Sequence, residues 1–294
     1  MTGCFGYSVG DRKLLYGRSG GEVDLRVEDG ASDTDETSEP LVEWFPRPER
    51  PTHARLYATG DTYRLWTSTI GWFEIEPLVP LIRLPGPDNE ARTEARLWGV
   101  PSSLCSLYRG NVHLHAAAVD VDGTAVLIAA PGKRGKTTLS AAFFRRGFRL
   151  LSEDQTCIRP GSPPAVMPGP ASLRLRLDTM EALALQGVEV TTREPDRVHL
   201  AIEESLRGTQ DPVPLRAIVL LRQSDQGISI TPADPAQVAR DLWSLSFHLP
   251  DYRQQVFFGI TDIVSGANPF DLTRPLRFDV LDEVIDVVVD RCLA

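Results

Sequence analysis

The stretch from Val119 to Asp154, VDVDGTAVLIAAPGKRGKTTLSAAFFRRGFRLLSED, limits the possible folds more than any other part of the chain. An apolar run, Thr124 to Ala129, leads into Pro131-Gly132-Lys133-Arg134-Gly135-Lys136-Thr137-Thr138. A helical pattern follows and ends at Gly147. A second apolar run, Phe148 to Leu151, ends in Glu153-Asp154. The order is strand, Gly-rich loop, helix, strand, acid pair, which predicts an α/β (α+β) fold with the loop at the strand ends.

The loop follows the pattern G-x-x-x-x-G-K-[ST] over Ala130 to Thr137, with Ala130 in place of the first Gly. Such a loop points backbone N–H groups at anionic oxygens above a helix N-terminus. The Lys reaches the β/γ-phosphates and the hydroxyl binds magnesium. Gly132, Gly135, Lys136, Thr137 and Thr138 are therefore candidate nucleotide-binding residues. Lys133 and Arg134 add charge at the tip, where they either hold phosphate or face water. The expected ligand is ATP or GTP with Mg2+. Glu153-Asp154 closes the next strand, whose end lies beside the loop if the strands run parallel. One carboxylate is then placed to hold the metal and the other to take a proton from an attacking hydroxyl. The plainer role for such acids is a turn or a helix cap.

The chain has 294 residues, enough for one large domain or two ordinary ones. Apolar residues make up 42% and charged residues 24%, which suits a globular core. A net charge of −9 argues against general binding to nucleic acid or anionic membranes. It also favours a basic or neutral partner over an acidic one. No apolar run approaches the roughly 18 residues of a membrane span, and the N-terminus lacks a signal-peptide core. The spacing of Cys4, Cys105, Cys157 and Cys292 matches no zinc or redox motif, so buried thiols and a cytoplasmic location are expected.

Residues 1–95 read as a β-rich N-terminal domain. Mixed runs at Val23 to Val27, Ala54 to Ala58 and Tyr63 to Ser68 are separated by Gly, Pro and Asp. Asp29 to Pro40 reads as an acidic solvated loop or a disordered segment, and the polar segment Pro85 to Glu94 ends this unit. Residues 96–294 form the second domain. It begins with a short helix after Pro101 that turns at Arg109-Gly110-Asn111. His113 to Val121 reads as a strand, with Asp122-Gly123 as a hairpin turn. Period two places His113 and His115 on one face, where a lone His is more often core than catalytic. Leu215 to Leu221 predicts a buried strand, Asp234-Pro235 a helix start, and Asp279 to Leu293 a C-terminal helix. Asp178 to Gly187 reads as a further helix. Arg174 and Arg176 alternate onto one face of a strand, where they would contact an anion or face solvent; Arg197 is a weaker candidate.

From Arg109 to Asp154 these residues resemble the kinase domain of HPr kinase/phosphorylase. The closer resemblance is to HPr-kinase-like proteins of peptide-modification clusters, including lasso-peptide precursor kinases. The similarity is carried by Arg109-Gly110, Leu114-His115-Ala116, Asp122-Gly123, Ala130 to Thr138, Arg146-Gly147 and Ser152-Glu153-Asp154. It implies a P-loop kinase fold akin to phosphoenolpyruvate carboxykinase. It also implies transfer of a γ-phosphate to a hydroxyl, in particular serine, of a peptide or small protein during peptide natural-product tailoring. By the same resemblance Lys136 and Thr137 bind phosphate and magnesium, Asp154 is the base, Glu153 is the second acid and a metal ligand, and His115 assists near the γ-phosphate. Ala130 replaces the family's Gly, and Glu153 replaces its Asp. The downstream signature of HPr kinase/phosphorylases is absent, which argues against HPr as acceptor and against phosphorolysis. Two alternatives stay open: a kinase of a small-molecule hydroxyl, and a nucleotide-sensing module without transfer. A homo-oligomer is compatible with a sequence that does not set the oligomeric state.

Overall fold

Apolar residues on both faces of a strand require a layer above and a layer below, and three central strands have this character. The computed structural model describes residues 1–33, 38–44, 53–86, 90–130 and 134–293, and its architecture is mixed α/β. Near the N-terminus, six strands form one sheet in the order Arg26–Asp29, Leu81–Leu84, Gly71–Glu76, Thr62–Thr67, Ala54–Thr59, Val42–Trp44. The first pair is parallel and the rest are antiparallel. The acidic loop expected at Asp29 to Pro40 lies partly outside the described residues, at 34–37. The polar segment expected to close this region contains helix α1 (Glu90–Leu97), with 87–89 outside the described residues. Helix α2 (Val100–Tyr108) carries Pro101 in its first turn, where the missing N–H costs nothing.

The larger sheet holds β1 (Val112–Leu114), β2 (Ala116–Val121) and β3 (Thr124–Ala129). Helix α3 (Lys136–Arg145) then leads to β4 (Arg149–Ser152). Two later strands complete its centre, β5 (Val213–Gln223) and β6 (Asn268–Arg274). Strands β3, β5 and β6 are mutually parallel neighbours. Strand β2 is antiparallel to both β3 and β4, so β4 runs in the direction of β3 with β2 between them. Alternation sorts the side chains into two cores. Ala116, Ala118, Leu127, Ala129, Ile218 and Leu220 face the side of α2. Ala117, Val119, Val126, Ile128, Val219 and Leu221 face the side of α3 and the C-terminal helix Leu281–Leu293. All four cysteines are buried free thiols. Among the described residues no helix is long and apolar enough to cross a membrane.

The run His113 to Val121, expected as one strand, breaks at His115. Strand β1 pairs with Thr156–Arg159 and β2 with β3, so the chain changes partners at that residue. Period two therefore fails here. His113 is only 3% exposed, whereas His115 reaches the surface. The Nδ1 of His113 lies 3.0 Å from Ser103 Oγ, while its Nε2 has no hydrogen-bond partner among the described residues. Burial holds its pKa down at about 3. The unfolded chain takes up this proton near pH 6.5, but the folded chain does not until about pH 3. This contribution to stability is complete above pH 6.5. It is lost as pH falls below that value, at up to roughly 1.4 kcal/mol per pH unit. Urea unfolding between pH 7.5 and 5 is expected to show that slope, and His113→Gln to flatten it. Equal slopes in the two proteins would refute the assignment.

The first residues of the chain are fastened to the larger sheet. Arg18, 1% exposed, donates to Leu150 O (2.6 Å) within β4 and to Gly169 O (2.8 Å). The acid pair begins three residues after Leu150.

Candidate active site

Strand β3 delivers the chain to the first turn of α3, whose leading N–H groups have no intrahelical acceptor. Pro131, Gly132 and Lys133 lie outside the described residues, and with them two of the expected phosphate-binding positions. Gly135 caps α3 with φ +80°, the left-handed region in which a side chain is strained. A Cβ there would stand 2.5 Å from Arg274 Nη2. Gly135→Ala is accordingly expected to lower the melting temperature and weaken nucleotide binding more than tenfold, as thermal melts and titration would show. Unchanged affinity would mean that the loop geometry does not depend on this residue.

Lys136, the first residue of α3, is buried. Among the described residues its ammonium has one hydrogen-bond partner, Ala130 O at 3.1 Å. Burial lowers its pKa, and the negative charges of Asp154 and Glu153 oppose that shift. An ammonium has three donors, so capacity remains for an anion. Thr137 donates its hydroxyl hydrogen to Glu153 Oε1. Burial, and then the charge of Asp154, push the Glu153 carboxyl up to about 8. Thr138 is half-buried on the same turn. Arg134 is exposed, 3.5 Å from Gln223 at the end of β5.

His115 sits at the break between β1 and β2. Its Nδ1 lies 3.2 Å from Asp154 Oδ1 and 3.1 Å from Asp154 O. Both partners are acceptors, so Nδ1 carries the hydrogen. The Asp154 side chain is 63% exposed, and with Glu153 it lines a cleft of about 480 Å³. The sequence-predicted residues thus form two pairs, Thr137 with Glu153 and His115 with Asp154. The loop lysine lies beside them.

The residues present suit a magnesium–nucleotide group. Thr137 Oγ1 and Glu153 Oε1 touch at the N-terminus of α3, and Lys136 is held nearby. Among the described residues no three His, Cys, Asp or Glu side chains cluster as a metal cage. Magnesium bound beside phosphates takes only one or two carboxylates from the protein, and Glu153 and Asp154 supply that number.

Three residues of the site region escaped the sequence reading. Arg274 ends β6, is 2% exposed, and donates to Gly135 O (3.2 Å) and Pro275 O (3.2 Å), while its Nε has no hydrogen-bond partner among the described residues. Arg96 and His53 line the cleft beyond Asp154. Thr-Arg-Pro at a strand end, and an Arg in a polar helix, carry no motif. Of the arginines that were singled out, Arg174 lines the cleft. Arg176 is exposed beside Asp178 at 3.9 Å, and Arg197 pairs with Arg176 across the two strands.

No protein-family model matches the chain, and no curated protein matches it. Among solved structures, the Hpr(Ser) kinase/phosphatase from Coxiella burnetii aligns with 62% of this chain and 96% of its own. The identity is 16% and the TM-score 0.34. At that score the functional reading rests on the site itself.

Proposed function

We propose that this protein is a nucleoside-triphosphate-dependent kinase. In this reading it moves the γ-phosphoryl group of ATP or GTP to a hydroxyl, in particular that of a serine in a peptide or small protein. The observation that carries the reading is the meeting of Thr137 with Glu153 at the N-terminus of α3, with Lys136 beside them and Asp154 at the mouth of a cleft. The free N–H groups of α3, Gly135 and Lys136 hold the phosphates. Thr137 and Glu153 hold magnesium, which neutralises charge on the transferring group when bound. Asp154, oriented by His115, accepts the hydroxyl proton as the acceptor oxygen bonds to phosphorus and the bond to the β-phosphate oxygen breaks. His115 keeps Asp154 facing the cleft. Arg274 steadies the Gly135 turn from behind.

Residues 1–95 supply one wall of the cleft through His53 and its neighbours, and we assign that region to acceptor recognition. The likeness of Arg109 to Asp154 to peptide-modifying kinases makes peptide natural-product tailoring, in the cytoplasm, the proposed setting. A volume of about 480 Å³ also suits a free small-molecule hydroxyl, which is the second reading.

The test is mass spectrometry after incubation with ATP, magnesium and a mixture of serine peptides and small hydroxy compounds. A gain of one phosphoryl group on a peptide supports the first reading, and a gain on a small molecule supports the second. Bound nucleotide with no transfer would make the chain a sensor.

A further inference from the structure

The cleft beyond Asp154 is lined by three arginines and three carboxylates, although the chain as a whole carries a net charge of −9. Arg92 and Arg96 reach it from α1, and Arg174 from the strand Ser172–Arg176. The acids along it are Glu153, Asp154 and Glu194.

These arginines differ in how their charge is met. Arg174 is matched: its Nη2 lies 2.7 Å from Glu194 Oε2, and its Nε donates to His199 Nε2 at 3.1 Å. Arg96 is not. It is half-buried, and its Nη2 lies 3.0 Å from His53 Nε2. That nitrogen accepts a hydrogen bond only when the ring is neutral, so His53 contributes no counter-charge. Among the described residues no carboxylate lies within ion-pair distance of Arg96. Burial and the charge of Arg174 lower its pKa, while Glu194 and Asp154 act on it from further away. A guanidinium removed from water without an anion is costly, and it gains most from a carboxylate that both of its nitrogens can grip. Asp154 lines the same cleft, so an anion seated on Arg96 would sit close to the hydroxyl being phosphorylated.

We propose that the acceptor carries a carboxylate beside its hydroxyl, and that Arg96, backed by His53, binds this carboxylate and selects the substrate. The inference rests on the reading of Asp154 as the base that faces the acceptor. It reverses the expectation drawn from net charge, because the partner meets the unmatched charge at Arg96 and not the sum over the chain. The carboxylate comes either from an acidic neighbour in the peptide or from a terminal serine.

The test uses two matched pairs of peptides: Ser-Asp against Ser-Asn within the chain, and a C-terminal serine as free acid against its amide. In the wild-type protein the acid of at least one pair is expected to exceed its neutral partner about 10- to 100-fold in kcat/KM, mainly through KM. The pair that shows the gap identifies the source. Arg96→Gln should erase the gap without slowing the neutral peptide. Arg96→Lys should restore part of it, which separates recognition from misfolding. Arg176→Gln, outside the cleft, should leave it intact. No gap in either pair, or a gap that survives Arg96→Gln, overturns the inference and leaves the kinase reading standing. Should no peptide be phosphorylated, the peptide-kinase reading fails and the same peptides are tested for binding by fluorescence anisotropy. Carboxylate-dependent binding lost in Arg96→Gln still supports the inference, and its absence overturns it.

Discussion

Replacing Asp154 with Asn is expected to lower turnover by about three orders of magnitude and to leave nucleotide affinity within a few-fold of wild type. A positioned general base contributes roughly 10²–10⁴ in rate, and this substitution removes little else. Asn keeps the volume of Asp and an oxygen that can accept from His115 Nδ1, so the 3.2 Å contact has a replacement. What it loses is the ability to take a proton. The side chain is largely exposed and buries no unpaired charge, so the fold should be unaffected. Phosphoryl transfer under saturating nucleotide and calorimetric titration of the nucleotide make the two measurements. Equal loss in both would recast Asp154 as part of nucleotide or metal binding. Turnover retained within tenfold would remove it from catalysis.

Lys136→Ala is expected to remove turnover below detection and to weaken nucleotide binding by at least a factor of ten. The ammonium is buried where the first turn of α3 begins, with one carbonyl partner among the described residues. Burial works against its charge and Asp154 and Glu153 support it, and that charge would act on phosphate oxygens in a weakly screened setting. Deleting one such stabilising donor costs about 10²–10³ in rate. Lys136→Arg should not rescue, because a planar guanidinium does not fit a space shaped around an ammonium. Calorimetry and the transfer assay together check this. Nucleotide bound equally well without Lys136 would place the phosphates elsewhere.

Sequence periodicity carried the framework because the central strands are buried on both faces. Runs such as Thr124 to Ala129 and Leu215 to Leu221 therefore stand out as unbroken apolar segments. The loop and acids were legible for a related reason: a strand, a helix and a strand of the same direction return the chain to the same sheet end. Strand β2 and its hairpin to β3 were legible through Asp122-Gly123, but its place between β3 and β4 was not, since pairing with β4 leaves no local signal. The two histidines show the limit of period two. It separates faces only while a strand continues, and the break at His115 sends His113 into the core and His115 to Asp154. Helix α1 was missed because its residues are mostly polar, and the arginines because long side chains act across elements far apart in sequence. Arg274 touches Gly135 across much of the chain, a contact that tertiary structure alone creates.

A crystal structure with magnesium and a non-hydrolysable ATP analogue tests the central claim most directly. The expected result has the β- and γ-phosphates against the backbone N–H groups of Gly135 to Thr137, with Lys136 Nζ turned onto them. Magnesium should stand about 2.0–2.1 Å from Thr137 Oγ1, with Glu153 bound directly or through water and Asp154 left facing the cleft. A nucleotide seated away from the N-terminus of α3, or a metal that ignores both Thr137 and Glu153, would contradict the account.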